Sequence, residues 1–380
     1  MRNEQENRKE PVRILHVVSN ISLRSGIMSF LMSYYRHIDR SKVQFGFLYF
    51  DDRAEDHAQE ILKLGGEIKK VARPTQVKQY YADLKALTPE LQGRYQILQI
   101  HDPFMIFFCA ACKRLWGIEK IIVHAHSVRF SDSKLGEIRN RLLSVGNSFI
   151  PDHYFACSEI AGRKLFGRKF TKQGVVISNA IDLEKFHPDE ALGRQVREEL
   201  GVADKFVVGH VGNFAEPKNH PFIIAVFEKL CALRDDAVLI LVGEGERKQM
   251  IRQLCENLGV AEKVLFLGVR KDVNRLLRGM DCFLFPSLYE GLGIALVEAQ
   301  AAGTPCVYSD VLPAETAVLK ESNKILNLQE DAQIWAKAIA EVQRPDPAEV
   351  RERMIAANFC VQEETAKLQQ RYIQMLNRGE

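Results

Sequence analysis

Short apolar runs alternate with longer amphipathic stretches along almost the whole chain. Runs of about four to eight apolar residues, rich in Val, Ile and Phe, read as strands buried on both faces. In the first half the pattern predicts strands near Val12–Val18, Val43–Phe50, Glu67–Val71, Gln96–Ile100, Lys120–His124, His153–Ala156 and Gly174–Ile177. In the second it predicts them near Phe206–Val211, Val238–Val242, Val264–Phe266, Cys282–Phe285, Pro305–Val307 and Lys324–Asn327. Apolar residues at helical spacing lie between them, for example in Ile27–His37 and Pro221–Leu233. Strands that alternate with helices in this way build a parallel sheet covered on both faces, so the expected fold class is α/β.

Two such series follow one another. Ile177-Ser178-Asn179-Ala180-Ile181-Asp182 closes a strand and enters the turn-rich stretch Ser178–Pro188, and a new series starts at Phe206. We therefore expect one α/β domain over residues 1–180 and a second over 181–360. In the last segment, 361–380, Leu368, Tyr372, Ile373 and Leu376 recur at helical spacing and could pack back on the first domain. A length of 380 residues with 46% hydrophobic content suits two domains of ordinary size. It also excludes disorder and low complexity as the main character of the chain. The longest apolar runs, such as Phe104–Ala111, fall short of the ~20 residues that a membrane span needs. Met1–Glu10 is highly charged and has no apolar signal region, so a cytoplasmic location is expected. Cys109 and Cys112 form a C-x-x-C with no second pair to complete a zinc site, and they read as buried thiols.

The net charge of +3 conceals an asymmetry. Residues 1–180 carry 28 Lys and Arg against 18 Asp and Glu, a balance of +10, and the remainder carries 24 against 31, a balance of −7. Arg129, Lys134, Arg139 and Arg141 form one basic cluster. Arg163, Lys164, Arg168, Lys169 and Lys172 form another. Such clusters either form a solvated face or attract an anionic membrane. Nucleic acid is a poor partner, because no recognised binding module is present.

In open α/β sheets ligands bind beyond the carboxyl ends of the strands, so unusual residues directly after a strand are candidates. Four places qualify. In Ser19–Gly26, Gly26 can open a helix whose free N–H groups would receive an anion; a plain strand–helix turn is the alternative. No G-x-G-x-x-G and no P-loop sequence is present. His101 follows the Gln96–Ile100 strand and could donate to a sugar or phosphate oxygen. His124 and His126 lie at the next strand end, and no third metal ligand is evident at fixed spacing. Gly212–His220 follows the first strand of the second half; Lys218 there precedes a helix, a combination that suits a diphosphate. Finally, Glu290 follows the Cys282–Phe285 strand, and Gly291 and Gly293 allow close backbone approach. A helix is expected from Ile294, with Glu298 about one turn inside it.

These residues resemble the family 4 retaining glycosyltransferases, whose GT-B fold has two Rossmann-like domains with parallel sheets facing across a cleft. The likeness is strongest in Glu290–Glu298, the E-x7-E element, continued by Ala299–Pro305. It extends through Ile177–Asp182, Gly212–His220, Leu241–Gly245 and Phe266–Gly268. Ser25–Asp39, Ser133–Leu143 and Phe155–Ser158 look like bacterial capsule and exopolysaccharide members. Nearly the whole chain from about residue 12 is covered.

The resemblance implies a first domain for the acceptor and a second for a nucleotide-sugar donor, with UDP as the expected nucleotide. It assigns Glu290 to the donor sugar, Glu298 to the ribose hydroxyls, and the backbone N–H groups of Gly291, Leu292, Gly293 and Ile294 to the diphosphate and sugar. Lys218 matches the lysine of the family's basic pair. Asn213 stands where the arginine would be, so neutralisation leans on Lys218 and helix dipoles. His101 matches the acceptor-domain histidine. Gly26 retains half of a glycine–glycine loop. The reaction implied is metal-independent, retaining hexosyl transfer without a cofactor, to a lipid-linked or saccharide acceptor in surface-polysaccharide synthesis. The absence of a D-x-D triplet agrees with a site that needs no metal clamp. A sugar-nucleotide epimerase and a non-catalytic binding partner are the competing readings.

Overall fold

The computed structural model describes residues 10–23, 25–127, 130 and 134–377. The chain divides into two compact units: Met1–Ala180 with Val361–Glu380, and Ile181–Cys360.

Seven strands form the sheet of the first unit: β1 Val12–Val17, β2 Val43–Tyr49, β3 Glu67–Lys70, β4 Ile97–Ile100, β5 Lys120–Ala125, β6 His153–Ala156 and β7 Gly174–Val176. Their order is β3-β2-β1-β4-β5-β6-β7, with every pairing parallel. Side chains alternate between two cores, as the strand period of two requires. Ile14 of β1 joins Met28, Leu31 and Phe45 on one face, whereas Leu15 and Val17 join Tyr80, Leu84 and Trp116 on the other. The helix Val361–Asn377 seals the first of these cores with Leu368, Tyr372 and Leu376. The Tyr372 hydroxyl donates to Gln99 Oε1 at 2.7 Å, a buried bond between residues far apart in sequence.

The second unit holds β8 Phe206–Val211, β9 Ala237–Val242, β10 Val264–Gly268, β11 Cys282–Phe285, β12 Cys306–Ser309 and β13 Lys324–Leu326, in the parallel order β10-β9-β8-β11-β12-β13. One face packs on Trp335 and Phe227, the other on Leu277 and Leu296. Its two ends lie side by side: Ile181 bridges Cys360, and the Ile181 N–H donates to Phe359 O at 3.0 Å.

The α/β reading of the sequence is thus borne out, and each expected strand is present. The differences are at the ends. β12 begins at Cys306 rather than Pro305, since proline has no N–H for the ladder. β10 continues to Gly268 across a shift in register after Phe266. Cys109 and Cys112 are buried in the helix Ile106–Trp116, and burial pushes the Cys109 thiol up to about 12, which leaves it inert.

Candidate functional site

In each sheet the chain leaves two neighbouring strands in opposite directions, β1 and β4 in the first and β8 and β11 in the second. Such switch points open a crevice at the carboxyl ends of the strands.

In the second unit the loops after β8 and β11 are tied together. The Leu288 N–H donates to Pro217 O at 2.8 Å, and Asn219 Nδ2 donates to Pro286 O at 3.2 Å. Asn219 sits in the left-handed region at φ 54°, which turns the chain from the single turn Glu216–Lys218 into the helix His220–Leu233. Gly243, at φ 140°, lies so close that a Cβ there would stand 2.0 Å from Gly212 O. These constraints aim Lys218. Its Nζ lies 2.6 Å from Glu290 Oε1 and 4.8 Å from the Phe285 ring centroid. Both charged side chains are mostly buried, so the pair is screened far less than a surface ion pair.

Glu290 leads into Gly291, Leu292 and Gly293. Gly293 has φ 80° and caps the helix Ile294–Ala301 with no side-chain hydrogen bond. The first N–H groups of that helix and its dipole therefore point at the Glu290 loop. Glu298 is half-buried, and its carboxylate has no hydrogen bond or ion pair among the described residues. Burial pushes its carboxyl up to about 7, with Lys185 pulling it down. Asn213 is exposed and brings no charge. Arg247, which the sequence reading passed over, stands beside the same loop: its Nη2 is 3.5 Å from Glu216 Oε2 and its N–H donates to Phe214 O.

In the first unit Gly26 opens the helix Gly26–His37, and the Ser25 hydroxyl accepts from the Met28 N–H at 3.3 Å. Among the described residues nothing stands within 4 Å of where a Gly26 Cβ would be. His101 directly follows β4 but does not face solvent. It is 1% exposed, and both ring nitrogens are occupied. His16 Nδ1 lies 2.9 Å from one, and His126 Nε2 lies 2.7 Å from the other. His124 joins the cluster, its ring centroid 4.0 Å from that of His126. Burial holds all four neutral; His16 and His126 are pushed down to about 3. His101, His124 and His126 offer nitrogens within 4.8 Å of one another, a spacing a metal ion could use. The third imidazole that sequence spacing did not supply thus comes from a neighbouring strand. The direct His101–His126 bond already occupies two of those nitrogens.

Lys218 and Glu290 are in direct contact, and Asn213, Gly291–Ile294 and Glu298 belong to the same unit. Gly26 and His101 belong to the other. Arg129 lies outside the described residues. Lys134, Arg139 and Arg141 are exposed on the helix Lys134–Leu143, and Arg163, Lys164, Arg168, Lys169 and Lys172 are exposed too. That first helix also exposes Leu135 (84%), Ile138 and Leu142, followed by Val145 and Phe149. A hollow lined by Asp189, Arg194, Arg278 and Arg344 lies at the opposite edge of the second sheet, beside Asp281 and Gly303, which precede β11 and β12. Arg278 and Arg344 there donate to backbone carbonyls and shore up the fold.

Residues 194–359 match the family described as glycosyl transferases group 1. The putative glycosyltransferase EpsF of Bacillus subtilis is 31% identical over 366 residues, covering 94% of this chain and 95% of that one. An Escherichia coli UDP-Gal:alpha-D-GlcNAc-diphosphoundecaprenol alpha-1,3-galactosyltransferase is 32% identical over 172 residues, covering 44% of each chain. The structure of Anabaena Alr3699/HepE in complex with UDP and glucose superposes with a TM-score of 0.73 at 18% identity, over 96% of this chain and 99% of that one. At that identity the likeness speaks for the GT-B fold.

Proposed function

From the premise that this chain belongs to the group 1 glycosyltransferases of family 4, we propose that it moves a hexose from a UDP-sugar to a lipid-linked saccharide in surface-polysaccharide synthesis, with retention of anomeric configuration. The observation that carries this reading is the Lys218–Glu290 pair at the β8/β11 switch point, beside a helix N-terminus that no side chain caps. In this proposal Lys218 Nζ and the N–H groups of Gly291–Ile294 receive the diphosphate. Glu290 accepts from hydroxyls of the donor sugar, and Glu298 from those of the ribose. In the first unit, Gly26 and the imidazole cluster around His101 lie at the ends of β1 and β4, the edge where a ligand of that unit would be met. The bond from the anomeric carbon to phosphate breaks as the acceptor oxygen bonds to the same face, and the leaving phosphate takes the acceptor's proton. Charge on the leaving group is met by Lys218 and oriented amides rather than by a metal. The Escherichia coli relative is described as acting on a diphosphoundecaprenol-linked sugar, which supports a lipid-linked acceptor here.

Calorimetric titration of UDP with EDTA present tests the donor half. The unaltered chain binds, and Lys218→Ala binds about 10- to 100-fold more weakly, the worth of one charge-assisted contact. Failure to bind UDP, GDP, ADP and dTDP alike would leave a non-catalytic partner. Turnover of a UDP-sugar with no acceptor dependence would indicate an epimerase.

The surface where the acceptor's membrane would be met is also part of the proposal. Leu135, Ile138 and Leu142 stand exposed among Lys134, Arg139 and Arg141. Exposed apolar residues flanked by cations suit the headgroup region of an anionic bilayer. Among the described residues no helix is long and apolar enough to cross a membrane. The chain is expected to co-sediment with phosphatidylglycerol vesicles, less so at high salt, and weakly with phosphatidylcholine. Leu135→Ser with Leu142→Ser is expected to abolish the binding; equal binding by the variant excludes this helix as the contact.

A further inference from the structure

Two strand ends of the first unit bring three imidazoles together and leave one of their nitrogens unused. His124 and His126 are two residues apart, on β5 and just past it, so their rings share a face of the sheet. His101, at the end of the neighbouring β4, stands 5.3 Å from His124 and 5.0 Å from His126 by ring centroid. One nitrogen from each of the three lies within 4.8 Å of the other two, and the set contains no carboxylate. His124 Nδ1 accepts from Gln99 Nε2 at 3.1 Å, so its proton sits on Nε2. That Nε2 is buried and has no partner among the described residues. A packed core rarely leaves such an atom unmet.

The direct bond between His101 Nδ1 and His126 Nε2, 2.7 Å long, has to open for an ion to enter. Zinc–nitrogen bonds of ~2.0–2.1 Å at the tetrahedral angle hold two nitrogens about 3.3 Å apart. The pair therefore parts by only about half an ångström while His124 closes in. Turning the rings supplies shifts of that size, because the outer torsion of histidine is soft. Each neutral imidazole keeps one N–H when its other nitrogen binds the ion. His101 then donates from Nε2 to His16 Nδ1, 2.9 Å away. The Gln99 amide turns over, so that Oε1 accepts from His124 Nδ1 and Nε2 donates to the Tyr372 oxygen. Outer partners of this kind fix the tautomer and orientation of a ligating imidazole. The His16 proton moves to its own Nε2, which is buried without an acceptor. One orphan N–H is thus exchanged for another, and the affinity expected is micromolar, well short of a structural zinc centre.

We infer that His101, His124 and His126 bind a borderline transition-metal ion, Zn²⁺ foremost, which enters past the partly exposed His126 and closes this edge of the first unit. Three imidazoles without a carboxylate select zinc, nickel or copper over magnesium, calcium or manganese. The ion occupies the carboxyl ends of β4 and β5, so it slows sugar transfer. That consequence rests on the function proposed above; the binding itself does not.

The test titrates ZnCl₂, NiCl₂ and MgCl₂ into the full chain after chelator treatment and dialysis. One Zn²⁺ per chain is expected to bind with micromolar affinity, nickel also, and magnesium not at all. X-ray absorption of the zinc-loaded chain should show three imidazole nitrogens at ~2.0 Å and no sulfur. His124→Ala and His126→Ala should each weaken zinc at least about tenfold. Zinc at the same concentrations should slow UDP release from the UDP-sugar turned over fastest, and EDTA should restore it. No saturable binding below about 100 µM overturns the site. So does a spectrum with fewer than three imidazoles, or affinity unchanged in both variants. Zinc that binds and leaves UDP release untouched overturns the closing of the edge. A chain that turns over no UDP-sugar overturns the function proposed above, and the titration and the spectrum still decide the site.

Discussion

Glu290→Gln is expected to bind UDP about tenfold more tightly than the unaltered chain while transferring sugar about a hundredfold more slowly. In the ligand-free protein Lys218 is held at 2.6 Å by Glu290. An arriving diphosphate must share that lysine and meets a like charge a few ångströms away. At an effective dielectric near 20, two such charges ~5 Å apart repel by about 3 kcal/mol, part of which the lysine offsets. The amide removes the repulsion and frees the lysine. It also weakens the acceptor offered to the donor sugar, where the bound state must stabilise developing charge. The same substitution leaves Lys218 mostly buried without its partner, so the melting temperature of the free protein should fall and saturating UDP should restore it. Calorimetry, thermal melting and UDP-sugar turnover read the three effects separately. UDP affinity that falls in Glu290→Gln would remove Glu290 from the neighbourhood of the diphosphate.

The second large effect is on stability. The first unit is expected to unfold as the pH falls from 6.5 towards 5. His16, His101, His124 and His126 are neutral in the fold because burial depresses each of them. In the unfolded chain each takes a proton near pH 6.5, so the unfolded state binds more protons below that value. Stability is therefore full above about pH 6.5 and is lost as the pH drops towards the depressed values. By pH 5 the loss is about 2 kcal/mol for each histidine, or about 8 kcal/mol for the four, against a typical domain stability of 5–15 kcal/mol. Asp102, whose carboxyl burial raises, offsets a part. The second unit holds His210 and His220, both depressed by burial, and Glu298, raised to about 7, works against them. Its acid transition should come later. Fluorescence and circular dichroism between pH 8 and 4 would follow both steps, and a single transition near pH 3 would contradict the account.

Much of this was legible in the sequence for a physical reason. Strands buried on both faces must be apolar throughout, so β8 and β11 announce themselves, and the residues after them are necessarily at the carboxyl edge where ligands bind. That logic led to Lys218, Glu290, His101 and Gly26. It could not show that Lys218 and Glu290 touch, because the contact depends on how Pro217 and Leu288 pin two loops together. Nor could it show the histidine string, whose members come from three strands that are neighbours only once the order β1-β4-β5 is known. His101 looked open because a strand end usually is; the imidazoles on either side of it close it. The helix Lys134–Leu143 reverses the usual pattern. An apolar stripe at helical spacing normally marks the buried face, yet here Gly136 and Asn140 face inward, with Asn140 Nδ2 donating to Phe130 O at 2.7 Å, and Leu135, Ile138 and Leu142 face out.

The seat of the helix Val361–Asn377 has a consequence for how the protein is made. A ribosome delivers β1 through β7 first, yet one face of that sheet, on which the helix Gly26–His37 already packs, stays unsealed until Leu368, Tyr372 and Leu376 emerge. Meanwhile Ile181–Cys360 is complete in itself, its two ends already bridged. The nascent first unit must therefore wait, with Gln99 lacking its tyrosine, through the synthesis and folding of the entire second unit. A chain stalled or clipped after Cys360 would release a finished second unit joined to an unfinished first one, and the cell's chaperones would meet the seat left open beside the helix Gly26–His37 rather than the loops that carry Lys218 and Glu290.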